Sequence, residues 1–367
     1  MSVYKIFPSA DTTLYSRFAN QNTGLDEILE VAAKNNVETI QYTIGEDPTQ
    51  PIYNDDLRRA LIQFSANDIA TIKSFATGSW QAGLKLYLAN AENLATTYSI
   101  QIAQVSSSWN MGTGKFTDYP ITVNGASWYN PLSYVSGSNQ WSNSNYFLTP
   151  GGGNWTGSFA TQSFGYKDSK DINTDVTPIV NTWFSGSINN GFIVKHPQAI
   201  ENSSSSFIAL NFFSVDTHTI YPPTLEMRWD DSSYVTGSLS VLNNSDFVLS
   251  IQNNAGLFKA DTGKYKFRVN SRDKYPARQF VTSSIYIVNK ALPQTSYWAI
   301  QDVKSEDIVI DFDTTYTKIS CDATSSFFTV YMSGLEPERY YKLLIKVVLS
   351  TGESIDVDNG SIFKITR

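Results

Sequence analysis

Residues 98–105 alternate cleanly. Tyr98, Ile100 and Ile102 interleave with Ser99, Gln101 and Ala103, the period of two that a half-buried β-strand needs. The same texture recurs in short runs along the first half, at 27–31, 59–64 and 84–88. In the last run Leu84, Leu86 and Leu88 take one face and Lys85 and Tyr87 the other. Residues 67–72 read as a short helical turn. Residues 176–183, with Thr177, Pro178 and Trp183, read as a capped turn of helix. A loop bearing Gly191 and a strand from Phe192 to Val194 follow it.

Residues 106–165 break the pattern. They are rich in Ser, Asn, Gly and aromatics, including Trp109, Trp128, Trp141, Trp155 and the run Gly151, Gly152, Gly153. Such a stretch is too long for a plain connection. It reads as long loops with short strands, held down by buried aromatics. After a polar joint at 230–234 the strands become longer: 265–270, 284–288, 307–313, 327–332 and 340–347 all carry strand patterning. The expected fold class is all-β, with an N-terminal domain at 1–235 and a C-terminal domain at 236–367. The second domain reads as one elaborated sandwich, with two small ones split near Pro293 as the alternative. No fixed-period repeat points to a propeller or solenoid.

Composition narrows the function classes. Aromatics reach 14% while charged residues stay at 17%, a β-rich pattern with a neutral surface. The formal charge of −7 disfavours a nucleic-acid partner, because phosphate binding rests on Lys and Arg. No run approaches the ~18 apolar residues of a membrane span, so no membrane insertion is expected. Residues 1–8 lack the apolar stretch of a secretory signal. Cys321 is the single cysteine, so no disulfide forms within the chain. It reads as a structural residue, in a chain that folds in a reducing cytosol.

Catalytic constellations are poorly supplied. His196 and His218 are the only histidines and read as packed or surface residues. No Gly-x-Ser-x-Gly elbow occurs. Asp55–Asp56 and Asp230–Asp231 are adjacent carboxylates read as loop residues, solvated in the plain reading. A structural Ca²⁺ on such loop aspartates is the alternative; otherwise no cofactor is expected. Gly112, Thr113, Gly114 and Lys115 are too closely spaced for a phosphate loop. The aromatic loops are the best ligand candidates: Trp128, Tyr129, Tyr134, Trp141, Trp155 and Tyr166. Such side chains stack on sugar rings, but they equally pin loops or anchor subunit interfaces.

Five segments occur in a telling order: Ala10-Asp11-Thr12-Thr13-Leu14-Tyr15, Arg58 to Phe64, Ala82 to Leu88, Val176 to Trp183 and Tyr221 to Trp229. Together, over about the first 230 residues, they resemble the DNRLRE-type β-sandwich module. That module decorates secreted, wall-associated and phage-virion proteins and is similar to carbohydrate-binding modules. The resemblance implies a jelly-roll-like sandwich that binds or builds. The enlarged 106–165 region departs from the family and leaves any sugar specificity open. Gly334-Leu335-Glu336-Pro337, followed by Tyr340 and Tyr341, is similar to the E–F corner of immunoglobulin-like and fibronectin-like sandwiches. One of these tyrosines would bond back to the corner. Residues 236–367 also resemble accessory sandwiches of tailed-phage virion proteins.

The expected function is therefore a non-enzymatic structural component of a tailed-bacteriophage virion, at the tail, neck, fibre attachment or capsid surface. Its expected partners are other virion proteins and further copies of itself, with host surface polysaccharide as an additional ligand. It would be made in the host cytoplasm and released by lysis. A carbohydrate-binding adhesion module on a bacterial surface is the alternative, and a polysaccharide-degrading enzyme the third.

Overall fold

The computed structural model describes residues 2–36, 54–76, 78–133, 140–141, 151–203, 207–276 and 288–367. Tyr134 and residues 284–287 of the expected strand at 284–288 lie outside them. The fold is all-β and of sandwich type, built mostly of antiparallel strands with short helices. The chain divides into two compact units. One comprises Ile6–Lys73 and Ala82–Glu226. The other comprises Met1–Lys5, Ser74–Gln81 and Met227–Arg367. The main segment of the second unit thus begins nine residues before the expected start at 236, and two short upstream pieces join it. Packing explains the N-terminal piece: Val3 lies in the same apolar core as Leu343, Ile345 and Phe363.

The first unit is organised by an eight-stranded sheet. Its order is Leu88–Glu92, Phe207–Phe213, Ile28–Asn36, Asn54–Phe64, Phe192–Lys195, Tyr98–Val105 and Trp155–Phe164, with Pro8–Tyr15 also pairing to Asn54–Phe64. The strand Asn54–Phe64 is central. It pairs with Ile28–Asn36 through residues 54–58, with Pro8–Tyr15 through 58–64, and with Phe192–Lys195 through 60–62. Neighbours on both sides leave Ala60, Leu61 and Ile62 fully buried, which accounts for the unbroken apolar run there.

Tyr98–Val105 forms as its alternation predicts. The helical turn expected at 67–72 extends to ten residues, Ala66–Phe75. Trp155–Phe164 is a ten-residue strand in the region that reads as long loops with short strands. Gly157 (φ 78°) and a register shift opposite residues 102–104 interrupt its pairing, so its alternation is masked. The helix Thr177–Phe184 has Pro178 in its first turn, and the Asp175 carboxylate accepts the Thr177 N–H at 2.8 Å. Ile179, Val180 and Trp183 form its buried face. Gly191 (φ 82°) then lets the backbone pass against Ile62; a Cβ there would lie 2.2 Å from the Ile62 carbonyl oxygen.

The second unit is a sandwich around one core. One sheet runs Phe247–Ile251, Lys264–Asp273, Ser326–Tyr331, Ser320–Cys321. The other runs Leu257–Lys259, Ser354–Thr366, Tyr340–Val348, Ser296–Asp302, Ile308–Ile310. Trp298 of the second sheet stacks on Phe328 of the first, centroids 5.2 Å apart and planes 15° from parallel. The core runs from Leu242 to Ile365 without a division near Pro293. Of the two corner tyrosines, Tyr341 is buried and its hydroxyl donates to the Glu336 carbonyl at 3.0 Å. Tyr340 is exposed.

Candidate functional site

The structure turns most of the candidate aromatics inward. Trp128 is fully buried, and Trp141 is 5% exposed with its indole N–H donating to the Ser127 carbonyl at 2.9 Å. Tyr129 and Trp155 are half-buried. Tyr129 ties back through its N–H to the Ala19 carbonyl at 3.1 Å. Tyr166 alone among the described candidates stands out, 81% exposed, in the turn after Trp155–Phe164.

Gln21, Asn22 and Asp26 all bond to the loop before Trp128. Asn22 is fully buried and uses its amide in both directions. Its Nδ2 donates to the carbonyls of Met111 (2.7 Å) and Ala126 (2.8 Å), and its Oδ1 accepts from Gly114 N–H (2.8 Å) and Gly24 N–H (3.4 Å). A Cβ on Gly112 (φ 76°) would sit 2.3 Å from Asn22 Oδ1. The glycines at 112 and 114 therefore serve close packing against Asn22 rather than phosphate.

Trp128 and Trp155 converge on a buried ion cluster. Arg59 comes from the central strand, Lys195 from the end of Phe192–Lys195, and Glu201 from the helical turn Gln198–Glu201. The Glu201 carboxylate accepts two parallel bonds from Arg59, from Nε to Oε1 and from Nη2 to Oε2, each 3.0 Å. Lys195 Nζ lies 3.0 Å from Glu201 Oε2. The side chains of Arg59 and Glu201 are wholly buried and that of Lys195 is 1% exposed. Arg59 Nη1 also donates to the Gly152 carbonyl at 2.6 Å. The Trp128 and Trp155 rings lie 4.9 and 5.2 Å from its guanidinium carbon. Lys195 Nζ lies 5.5 Å from the Trp155 ring and 5.7 Å from Phe159. Gly152 (φ 78°) must be glycine, since a Cβ would lie 2.5 Å from Arg59 Nη1 and 2.8 Å from the Trp128 ring.

Two cations face one carboxylate. Burial pulls the Lys195 ammonium down to about 8; Glu201 opposes that fall and Arg59 adds to it. Burial likewise drives His196 down to about 4, so this histidine is neutral at physiological pH. Sealed in this way, the cluster meets no substrate. It clamps a strand, the glycine loop and a helical turn onto one another. Sequence reasoning did not find Lys195 or Glu201 as cluster members. The available signal was Arg59, a charge set directly before the apolar run 60–62, which demands a buried partner.

The other groups with chemical promise have been placed. Asp56 lies within the strand Asn54–Phe64, not in a loop, and pairs with Arg58 two residues on, where strand geometry puts both on one face. Asp230 accepts bonds from the Ser232 N–H and hydroxyl, and Asp231 accepts from the Ser2 hydroxyl at 3.0 Å. His218 is exposed, 3.8 Å from Glu27. Cys321 is buried, which pushes its thiol up and keeps it inert. Among the described residues, no group of three or more His, Cys, Asp or Glu could hold a metal, and no helix is long and apolar enough to cross a membrane. No protein-family model and no curated protein matches this sequence.

Proposed function

We propose that the chain is a non-catalytic assembly protein, a structural component of a tailed-bacteriophage virion that acts through protein–protein contacts. One observation carries the assembly part of this reading. Among the described residues Trp155–Phe164 is an outer strand of the eight-stranded sheet, and its ten residues include no charged side chain. Most of them are exposed or half-buried. Outer strands are templates for pairing, and solitary proteins blunt them with Lys, Pro or a cover. An uncharged one suits a chain that works inside an assembly. The virion setting comes from the sequence resemblance alone.

The test has two parts. Mass spectrometry of purified particles of the encoding phage should detect the chain at stoichiometric copy number; its absence removes the virion reading. Ser158→Lys with Thr161→Lys, placed on this strand, should lower the oligomer mass of the purified chain in light scattering while far-UV circular dichroism is unchanged. An unaltered mass removes the edge as the contact. Host polysaccharide remains a second ligand to test, at the exposed Tyr166 rather than at buried Trp128 or Trp141. Glycan binding lost on Tyr166→Ala would support it.

A further inference from the structure

The outer strands of the second unit are unequal. Among the described residues its two sheets end on Phe247–Ile251, Ser320–Cys321, Leu257–Lys259 and Ile308–Ile310. The last three are only two or three residues long, and shortness is a usual protection of an edge. Phe247–Ile251 has five residues, Phe-Val-Leu-Ser-Ile, with no charge and no proline. Its ladder with Lys264–Asp273 runs from Phe247 to Ile251 without a bulge.

That ladder decides which backbone groups stay open. Lys274 N–H donates to the Asp246 carbonyl at 2.8 Å, and Gln252 N–H donates to the Arg268 carbonyl at 3.1 Å. Both are directly opposed pairs in the register that sets Leu249 against Ser271. Hydrogen-bonded and non-hydrogen-bonded pairs alternate along an antiparallel ladder. Val248 and Ser250 therefore turn their N–H and C=O groups inward, and Phe247, Leu249 and Ile251 turn theirs to the open edge. Among the described residues, no backbone group outside the ladder bonds to those three. Their side chains serve the core: Leu249 is buried there, and Phe247 and Ile251 pack against it. Val248 and Ser250 stand exposed on the outer face.

We propose that Phe247–Ile251 pairs antiparallel with the same strand of a second copy of the chain, about a twofold axis at Leu249, joining two four-stranded sheets into one. The strand is self-complementary in that register. Leu249 meets Leu249, Phe247 of one copy meets Ile251 of the other, and Val248 meets Ser250. All three open-edge residues thereby enter hydrogen-bonded pairs, each pair exchanging two bonds, about six in all. A slip in register forfeits bonds at one end of the strand. Directly opposed side chains share a face, so both cores lie on the same side of the joined sheet. Charge does not oppose the pairing, because Asp246 meets Gln252 rather than its own counterpart. A twofold contact demands this match, each residue suiting its partner in both directions, and the match selects a second copy over a foreign strand.

The experiment cross-links the register in the full-length chain. Across the axis Val248 and Ser250 form a non-hydrogen-bonded pair with Cα atoms about 4.5 Å apart, within the roughly 4.4–6.8 Å that a disulfide spans. Val248→Cys and Ser250→Cys variants are mixed under glutathione disulfide and the products weighed by mass spectrometry. The native thiol, Cys321, is buried and does not compete. Cross-linked heterodimer should exceed either homodimer roughly tenfold. Ser158→Lys with Thr161→Lys, which acts on the first unit, should leave that cross-link intact and so separates this contact from the one at Trp155–Phe164. In that background Val248→Lys with Ser250→Lys sets lysine against lysine twice and should weaken the remaining self-association roughly tenfold in analytical ultracentrifugation. Circular dichroism checks that each variant is folded, as expected of exposed positions. Folded variants that give no heterodimer excess overturn the proposal, as does self-association that the lysine pair leaves unchanged.

Discussion

Glu201→Gln removes the single negative charge from a buried cluster while keeping its shape. In the wild type that carboxylate takes two bonds from Arg59 and faces Lys195 Nζ, all at 3.0 Å. The amide leaves two cations in a dry site walled by Trp128, Trp155 and Phe159. Arg59 cannot lose its proton. Lys195 can, and its pKa is already drawn from 10.5 to about 8. Breaking a buried pair by removing one partner costs about 3–5 kcal/mol, a large share of the ~5–15 kcal/mol that holds a domain folded. The assay is urea unfolding followed by tryptophan fluorescence and circular dichroism. The variant should also gain a pH signature. Loss of Glu201 pulls the folded pKa of Lys195 further below its unfolded value, so the deficit should be larger at pH 7 than at pH 9, where the lysine is neutral. Lys195→Met with Glu201→Gln should cost less than the two changes summed, by about 1 kcal/mol or more. A single-variant cost under about 1 kcal/mol, with strict additivity in the double variant, would refute the claim that charge pairing holds this cluster.

His196 should give an acid-side signature. Its folded pKa of about 4 lies below the 6.5 of a free histidine, so its contribution is complete above pH 6.5. It is lost as pH falls through the window from 6.5 to 4, by up to about 3 kcal/mol; His196→Gln should flatten that part of the stability curve. Asn22→Ala deletes four bonds, three of them to the loop at 111–126, and a loss of roughly 2–4 kcal/mol with earlier proteolytic cleavage in that loop is expected. Tyr341→Phe removes only the bond to the Glu336 carbonyl and should lower unfolding free energy by about 0.5–1.5 kcal/mol in a urea titration, while Tyr340→Phe should change nothing measurable.

The strands that could be read were those whose faces differ in polarity. Tyr98–Val105 was legible because it buries Ile100 and Ile102 and half-exposes Ser99 and Gln101. Trp155–Phe164 was not, because an outer strand with a shifted register exposes both faces in part. Asp56 was misplaced for a related reason. A carboxylate beside Asp55 reads as loop, yet its partner Arg58 lies two residues away on the same strand face. The corner near Tyr341 was legible because its chemistry is local, the bond spanning five residues. The ion cluster was not legible, because Arg59 and Glu201 are 142 residues apart and only the folded topology brings them together.

The tryptophans make the larger point about function. An aromatic-rich loop region suggests a ligand platform only while its rings are free to stack. Trp128 and Trp155 instead cover Arg59, and Trp141 is tied down by Ser127. Their removal would disturb the sandwich before it disturbed any ligand, so loss of glycan binding in a Trp128→Ala variant would prove little unless folding were measured alongside it. The loops are rigidified at the expense of exposed aromatic surface, which suits a part that must hold its shape against neighbours. What remains available for recognition includes the exposed Tyr166 and the uncharged outer strand Trp155–Phe164. Recognition by such an edge depends on register and shape more than on side-chain chemistry. This also explains why the sequence, read for chemistry alone, offers so little to name a partner by.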